Sequence, residues 1–323
     1  MTTKKKIWII GVVVLLLVLT LIIICQPEKE TSESIIKIGY TPTAIFAFPL
    51  FVAQEKGFFT EQGLEVELKP IEPTIAIPGL LAQEIDYFCF TLTATRSAFQ
   101  GAPIKIIMAL TGSTFLTLIA QPNLTLNDLK TIGIPTWFDP PNYMALRLIE
   151  ENNLSAEIIA AGSIPGAPAL LVSGEVNALI HDVVTAFKLR EEGYPILKIF
   201  DDQIPQGLTT SDYKIENNPK EVERIVKAIQ SGLTFIKNNP QETQELLFNF
   251  LKLERNETNQ KIVEELHSIF KQKVNETGAP SQEEIETLIK IAKASEYQSF
   301  EDVESQIVTQ EDVATVFDLR FTK

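Results

Sequence analysis

"FVAQEKGFFTEQGLEVELKP", Phe51–Pro70, carries a helix, a turn and a strand in close succession. Its first half spaces apolar residues as a helix does and stops at Gly57, a residue suited to the left-handed backbone of a helix end. Its second half alternates strictly at Leu64, Val66 and Leu68, the period of a half-buried strand, with Gly63 permitting the turn between them. Ahead of it, "IIKIGY" (Ile35–Tyr40) is a short β-branched strand ending in the turn-prone "TPTAIFAFP". Strand, helix and strand in this order begin a βαβ unit. The helix is expected over Ala53–Phe59, with Phe58 and Phe59 packing it against the sheet.

The alternation continues through "IPGLLAQE" (helix), "IDYFCF" (strand), "TATRSAFQG" (helix) and "IKIIMAL" (strand). A second series follows: "FLTLIA", "TIGIP", "NYMALRLIEENN", "EIIAA", "PALLVSGE", "VNALIHD" and "TAFKLREEG". Two such series predict an α/β protein with mostly parallel sheets. "LLAQEID" (Leu80–Asp86) and "LVSGEVN" (Leu171–Asn177) match in character position by position, a weak internal repeat of helix end, tight turn and buried strand. From Asn218 the chain becomes helical and acidic, with charges on solvated faces; His267 falls in this region and is expected at the surface.

The first 25 residues stand apart. "IWIIGVVVLLLVLTLIIIC" (Ile7–Cys25) has no charge, and a helix of that length just spans a bilayer core at about 1.5 Å per residue. Lys4, Lys5 and Lys6 precede it, which orients the N-terminus inward and the rest of the chain outward. Cys25 before the polar linker "QPEKETSES" also resembles a bacterial lipoprotein signal, although Ile24 replaces the small residue that motif carries. An uncleaved anchor and a lipid on Cys25 are thus the two expectations, and both tether the protein outside the inner membrane. Beyond those lysines, 25 basic residues face 42 acidic ones, a net charge of −17 that disfavours nucleic acid as a partner. Cys89 is the one cysteine after the anchor, so an intramolecular disulfide has no second partner there, and "DYFCF" makes it a buried strand residue.

Catalytic constellations are scarce: CxxC, HExxH, Walker, GxGxxG and GxSxG motifs are absent from the sequence, and no metal or cofactor is implied. What the sequence does place after its strands, where open α/β sheets form their ligand crevice, is polar and aromatic residues. The first loop supplies Tyr40, Thr41, Phe46 and Phe48, and the second supplies Thr91, Thr93 and Arg96 at a helix start. Ser113 follows the strand at Ile104–Leu110. The loop after "TIGI" holds Thr136, Trp137, Asp139 and Asn142, and "HDVVTAF" holds His181 and Asp182. Aromatic walls, two carboxylates and a single basic residue suit a neutral or cationic planar nitrogen heterocycle or amine better than an anion, whose charge would be costly beside desolvated carboxylates.

"IKIGY", "LFVAQEKGFFTEQGLEVEL", "GLLAQEIDY", "GAPIKIIMAL", "DLKTIGIP", "ALRLIEENNL", "SGEVNALI" and "NNPKEVERIVKAIQSGLTFIKNNP" together resemble the solute-binding proteins of ABC importers, in the group serving nitrate, alkanesulfonates, taurine and pyrimidine precursors of thiamine. The resemblance spans about residues 35–320. It implies a two-lobed periplasmic-binding-protein-like fold of type II with hinge strands. Lobe 1 would be 35–111 and 203–323 and lobe 2 would be 112–202, after an anchor at 1–25 and a linker at 26–34. It also implies a monomer, without cofactor, that captures a small nitrogen- or sulfur-containing organic nutrient, pyrimidine-like by the argument above, and hands it to an ABC permease and its ATPase. A sulfonate, nitrate or aromatic carboxylate is the alternative ligand. Two other classes compete: a tethered sensor domain, and a pyrimidine-synthase-like enzyme, whose "CCCFC" stretch has only the single cysteine of "YFCF" as a counterpart here. Gln83 stands where this family often has glycine.

Overall fold

The computed structural model describes residues 35–41, 44–137, 139–294 and 298–322. The expected membrane segment, the linker and Cys25 lie outside these residues. Among the described residues no helix is long and apolar enough to cross a membrane.

β1 (Ile36–Tyr40) is followed by a 3-10 turn (Ile45–Ala47), α1 (Phe48–Glu55), a short α2 (Phe58–Glu61) and β2 (Val66–Pro70). Pro49 sits in the first turn of α1, where its missing N–H costs nothing. The helix expected over Ala53–Phe59 is therefore two pieces, begun earlier and broken where Gly57 turns left-handed at φ +76°. Phe59 is buried in the core, and Phe58 meets Phe235 edge-on at 6.1 Å.

Next come α3 (Pro73–Leu81), β3 (Tyr87–Cys89), α4 (Thr91–Phe99) and β4 (Ile104–Thr111). The second series is β5 (Leu116–Ala120), β6 (Thr131–Ile134), α5 (Pro140–Glu151), β7 (Glu157–Ala160), α6 (Ala167–Val172), β8 (Ala178–Asp182), α7 (Val183–Glu191) and β9 (Ile196–Ile199). β10 (Gln206–Ser211) returns to the first sheet, whose order is β2-β1-β3-β10-β4, with β10 antiparallel to both neighbours. The second sheet runs β7-β6-β8-β5-β9, with β5 antiparallel to β8 and β9. Cys89 is buried in β3, as its sequence context requires.

The internal repeat is structural. Gln83 (φ +58°) and Gly174 (φ +80°) take the same left-handed turn after α3 and α6. Asp86 Oδ2 then accepts from Lys37 N at 2.8 Å, and Asn177 Oδ1 accepts from Lys130 N at 2.8 Å. Each side chain pins the entry to its strand, and the φ of Gln83 is one that glycine would adopt without strain.

The C-terminal part is helical: α8 (Asp212–Asn217), α9 (Pro219–Asn238), α10 (Pro240–Leu251), α11 (Glu257–Lys273), α12 (Gln282–Lys293), α13 (Phe300–Glu304) and α14 (Gln310–Val316). α9 buries Val222, Ile225, Val226, Ile229, Leu233 and Ile236, a stripe at spacings of three and four that covers α1 and the first sheet. His267 is inside rather than at the surface, with Nε2 3.3 Å from the Ile236 carbonyl. It lies on the apolar face of α11, between the buried Val263 and Phe270, and not on its acidic face.

Two crossovers join the sheets, residues 112–115 between β4 and β5 and residues 200–205 between β9 and β10. Asp202, 1% exposed, ties them together. Its Oδ1 accepts from Thr114 N at 2.9 Å and Ile204 N at 3.3 Å, and its Oδ2 accepts from Ser113 Oγ and Thr114 Oγ1, each at 2.9 Å. Burial pushes its carboxyl above the usual range even though all four donors pull the other way. Phe115 adopts φ +58°, a conformation rare for a bulky side chain, and stacks on Phe270 of α11 at 4.7 Å. Asp202→Ala orphans two hydroxyls and two amides at one buried spot, at roughly 1–3 kcal/mol for each group that finds no water. Chemical denaturation is expected to show a loss of at least about 3 kcal/mol, with Asp202→Asn losing less. A loss below about 1 kcal/mol for the alanine variant would mean that the tie does not hold the crossovers together.

Candidate functional site

A cleft of about 720 Å³, counting its open mouth, lies between the two sheets. The first sheet and its loops supply Thr41, Ala44, Phe46, Phe90 and Gln206. The second supplies Leu116, Pro135, Thr136, Asp139, Pro140 and Pro141, and further along Ile164, His181 and Asp182; Thr114 enters from the crossover. Phe46 and Phe90 stand 6.1 Å apart, tilted by 40°. Neither lysine nor arginine is among these lining residues.

The charged lining groups are already matched. Asp182 caps α7: its Oδ1 accepts from Val184 N and Thr185 N, and its Oδ2 accepts from Thr185 Oγ1 at 2.7 Å. That Oδ2 is also 2.6 Å from His181 Nδ1, while His181 Nε2 is 3.1 Å from the Ile164 carbonyl. Both ring nitrogens thus face acceptors, the arrangement of an imidazolium. Burial alone would lower the His181 pKa, but the hydrogen bond and charge of Asp182 outweigh it and raise it. Asp182 is likewise held below the usual carboxylate range: burial pushes up, and His181 with the Thr185 donors pulls down more. Asp139 is raised by burial, opposed by the Thr136 hydroxyl that donates to it and by the charge of Arg96.

The helix starts differ in what they offer an anion. α5 begins Pro140-Pro141 after Asp139, so its first two positions carry no N–H, and Asn142 N already donates to the Asp139 carbonyl at 2.9 Å. α7 is closed by Asp182. α4, after Phe90, has no side-chain cap. The uncharged polar groups are freer. Gln206 is fully buried, and neither of its amide atoms has a hydrogen-bond partner among the described residues; the Thr41 hydroxyl is in the same condition.

Of the residues singled out by sequence, Thr41, Phe46, Asp139, His181 and Asp182 meet in this cleft. Others are placed elsewhere. Tyr40 lines a groove on the far side of β1 with Leu50, Phe51 and Phe250, because successive strand residues face opposite sides. Phe48 is wholly buried against Phe250 and Phe270, at 5.5 and 5.4 Å. Thr91 donates to the Pro205 carbonyl at 2.6 Å, and Ser113 serves the Asp202 tie. Trp137 is 49% exposed and is not a cleft wall, since the turn before α5 directs the prolines inward instead. Asn142 is buried one residue behind those prolines, Arg96 acts on Asp139 from α4, and Thr93 is half-buried on the same helix outside the lining. Thr136, also singled out, joins them in the lining, whereas Phe90 and Gln206 are not among the residues the sequence singles out. Phe90 directly follows a strand, as Thr41 does, and that position was the available signal; Gln206 had none.

The His181–Asp182 pair makes stability depend on pH. A raised histidine pKa contributes fully below the unfolded value of about 6.5 and is lost as pH rises through the folded pKa. A lowered aspartate pKa contributes above about 3.8 and is lost as pH falls through its folded value. The pair is therefore fully effective between about pH 4 and about pH 6.5. The melting-temperature advantage of the wild type over His181→Gln is expected to shrink from about pH 6.5 upward. A constant difference up to about pH 9 would show that His181 is neutral in the fold.

The comparisons with known proteins agree with this architecture. A family model described as NMT1/THI5 like matches residues 46–243. The riboflavin-binding protein RibY of Chloroflexus aurantiacus is 25% identical over 239 residues, covering 69% of this chain and 68% of that protein. Among solved structures, the Candida albicans CA3427 gene product, described as having the generic periplasmic binding protein fold, superposes with a TM-score of 0.67 at 15% identity, over 88% of this chain and 96% of that one. The alkanesulfonate-binding protein SsuA of Xanthomonas axonopodis pv. citri, bound to MOPS, gives 0.59 at 16% identity, over 72% and 83%. The nitrate-binding protein NrtA of Synechocystis PCC 6803 gives 0.62 at 12% identity, over 80% of each. At these identities the solved structures speak to the fold alone. The two sheets, the double crossover, the cleft between them and the match over residues 46–243 together place the chain in the NMT1/THI5-like family, with the periplasmic-binding-protein fold.

Proposed function

We propose that this protein captures a small, planar, uncharged nitrogen heterocycle of the pyrimidine kind and delivers it to an ABC importer. Residues 35–111 with 203–323 form one lobe and residues 112–202 the other, and the two close on the ligand about the crossovers. Ligand that binds the closed arrangement better shifts the population toward it. The observation that carries this reading is the cleft wall. Its surface is aromatic, proline and aliphatic, and its carboxylates are matched by His181, Thr136 and Arg96, so an ion entering it would lose hydration without gaining an opposite charge. A second reading, an organic anion, is favoured by the start of α4, which has no side-chain cap and follows Phe90 of the cleft.

Thermal-shift and calorimetric titration of the full chain with pyrimidines, amines, sulfonates, nitrate and aromatic carboxylates separates the two. Heterocycles are expected to stabilise it, and Phe90→Ala is expected to weaken them about tenfold, the worth of one aromatic contact. If only anions bind and Arg96→Ala abolishes the effect, the anion reading replaces this one.

The protein acts from the outer face of the membrane as a monomer, held there by residues 1–25. The charge-free run Ile7–Cys25 and the unfavourable Ile24 support an uncleaved anchor. Intact mass of membrane-extracted protein is expected to include Met1, or Thr2 after removal of the initiator; a mass starting at a lipidated Cys25 would decide for the lipoprotein form.

A further inference from the structure

We propose that Gln206 is the specificity-determining residue of the cleft, and that it reads a paired N–H and C=O edge, the lactam or imide edge of a planar heterocycle. The proposal rests on the reading of the cleft as a heterocycle site and narrows it to one ligand chemistry. Gln206 is fully buried and lines the cleft, yet both its amide oxygen and its amide nitrogen lack a partner among the described residues. A buried carboxamide left unpaired is destabilising, and few side chains remain so unless something else completes them. A primary amide presents one acceptor and two donors side by side, the complement of a cis-amide edge. Thr41, whose hydroxyl is also buried without a partner, adds a group that can donate or accept at the same cleft.

The backbone is built to hold this side chain in place. Between Gln206↔Thr111 and Gly207↔Ala109 the β10–β4 register shifts, leaving Leu110 unmatched in a bulge. Bulges of this kind re-aim a side chain next to a site. A Cβ on Gly207 would fall 2.1 Å from the Met108 carbonyl oxygen, so only glycine permits the close approach that places Gln206 at the cleft. Asp202, four positions earlier, fixes the crossover from which β10 emerges.

The test uses the full chain, with Gln206→Leu and the straighter Gln206→Met, and three probes: uracil, riboflavin and 1,3-dimethyluracil, which has the uracil ring but no N–H. Without ligand, both variants are expected to melt a few degrees higher than wild type, because an unpaired buried amide has been replaced by an apolar group. Uracil or riboflavin is expected to bind wild type and to lose about 10- to 100-fold in affinity in both variants, while dimethyluracil binds wild type and variants equally weakly. Lower ligand-free melting temperatures in both variants would show that the amide serves the fold, which overturns the proposal whatever binds. Heterocycle binding that is indifferent to Gln206 would also overturn it while leaving the broader reading intact. Binding of sulfonates or nitrate alone would overturn both.

Discussion

A carboxylate buried between two chain crossings sets the geometry of this molecule. Asp202 receives four donors from residues 113, 114 and 204, so both crossovers between the sheets are fixed to one pair of oxygens. Such a group is not an efficient source of stability, because its desolvation offsets much of what the hydrogen bonds contribute. What it supplies is position. Thr114 and Leu116 leave one crossover into the cleft, and Gln206 leaves the other, so three lining residues take their place from a single tie.

The same logic of internal matching governs the cleft. His181 and Asp182 could have been offered to a ligand, but they are bound to each other, to a carbonyl and to the first turn of α7. The prolines that open α5 remove the amides that would otherwise attract an anion and provide a stiff apolar wall in their place. The result is a site whose charges cancel and whose neutral polar groups do not. That difference, more than aromatic content, is what supports the proposed preference for an uncharged ligand.

The order of strands and helices was readable because hydrophobic period and glycine placement are local properties: Leu64, Val66 and Leu68, or the turn at Gly57, need no knowledge of the rest of the chain. The Leu80–Asp86 and Leu171–Asn177 repeat was readable for the same reason, and its meaning was confirmed by two left-handed residues and two equivalent side-chain bonds. The site was legible only in part. Which of two adjacent residues faces the cleft is set by strand register, so Thr41 lines it and Tyr40 does not. Asp182 looked like a ligand carboxylate because sequence does not reveal that its oxygens are occupied. Gln206 is not legible in the sequence, since its place in the cleft depends on a bulge and on a strand that returns to the first sheet only after the second is complete.

Away from the crossovers, polar side chains around one sheet also reach those around the other. Arg190 of α7 reaches Glu265 of α11 at 3.0 Å, and Tyr143 of α5 reaches Glu304 of α13 at 3.2 Å, both partly open to solvent. Pairs of this kind contribute at most about 1 kcal/mol and exchange readily with water. At the crossovers the contacts are buried: Phe115 stacked on Phe270, Asp202 with its four donors, and Thr91 bound to the Pro205 carbonyl. Buried packing also crosses beyond this line: Val183, Val184 and Phe187 of α7 share an apolar cluster with α1, α9 and α11, and Tyr143, Met144 and Leu148 of α5 share one with α4 and α12. In the two-lobe reading proposed above, a rotation about the crossovers would change the separation of Phe46 and Phe90 from Pro140 and Pro141, so its extent is set by how that shared packing yields.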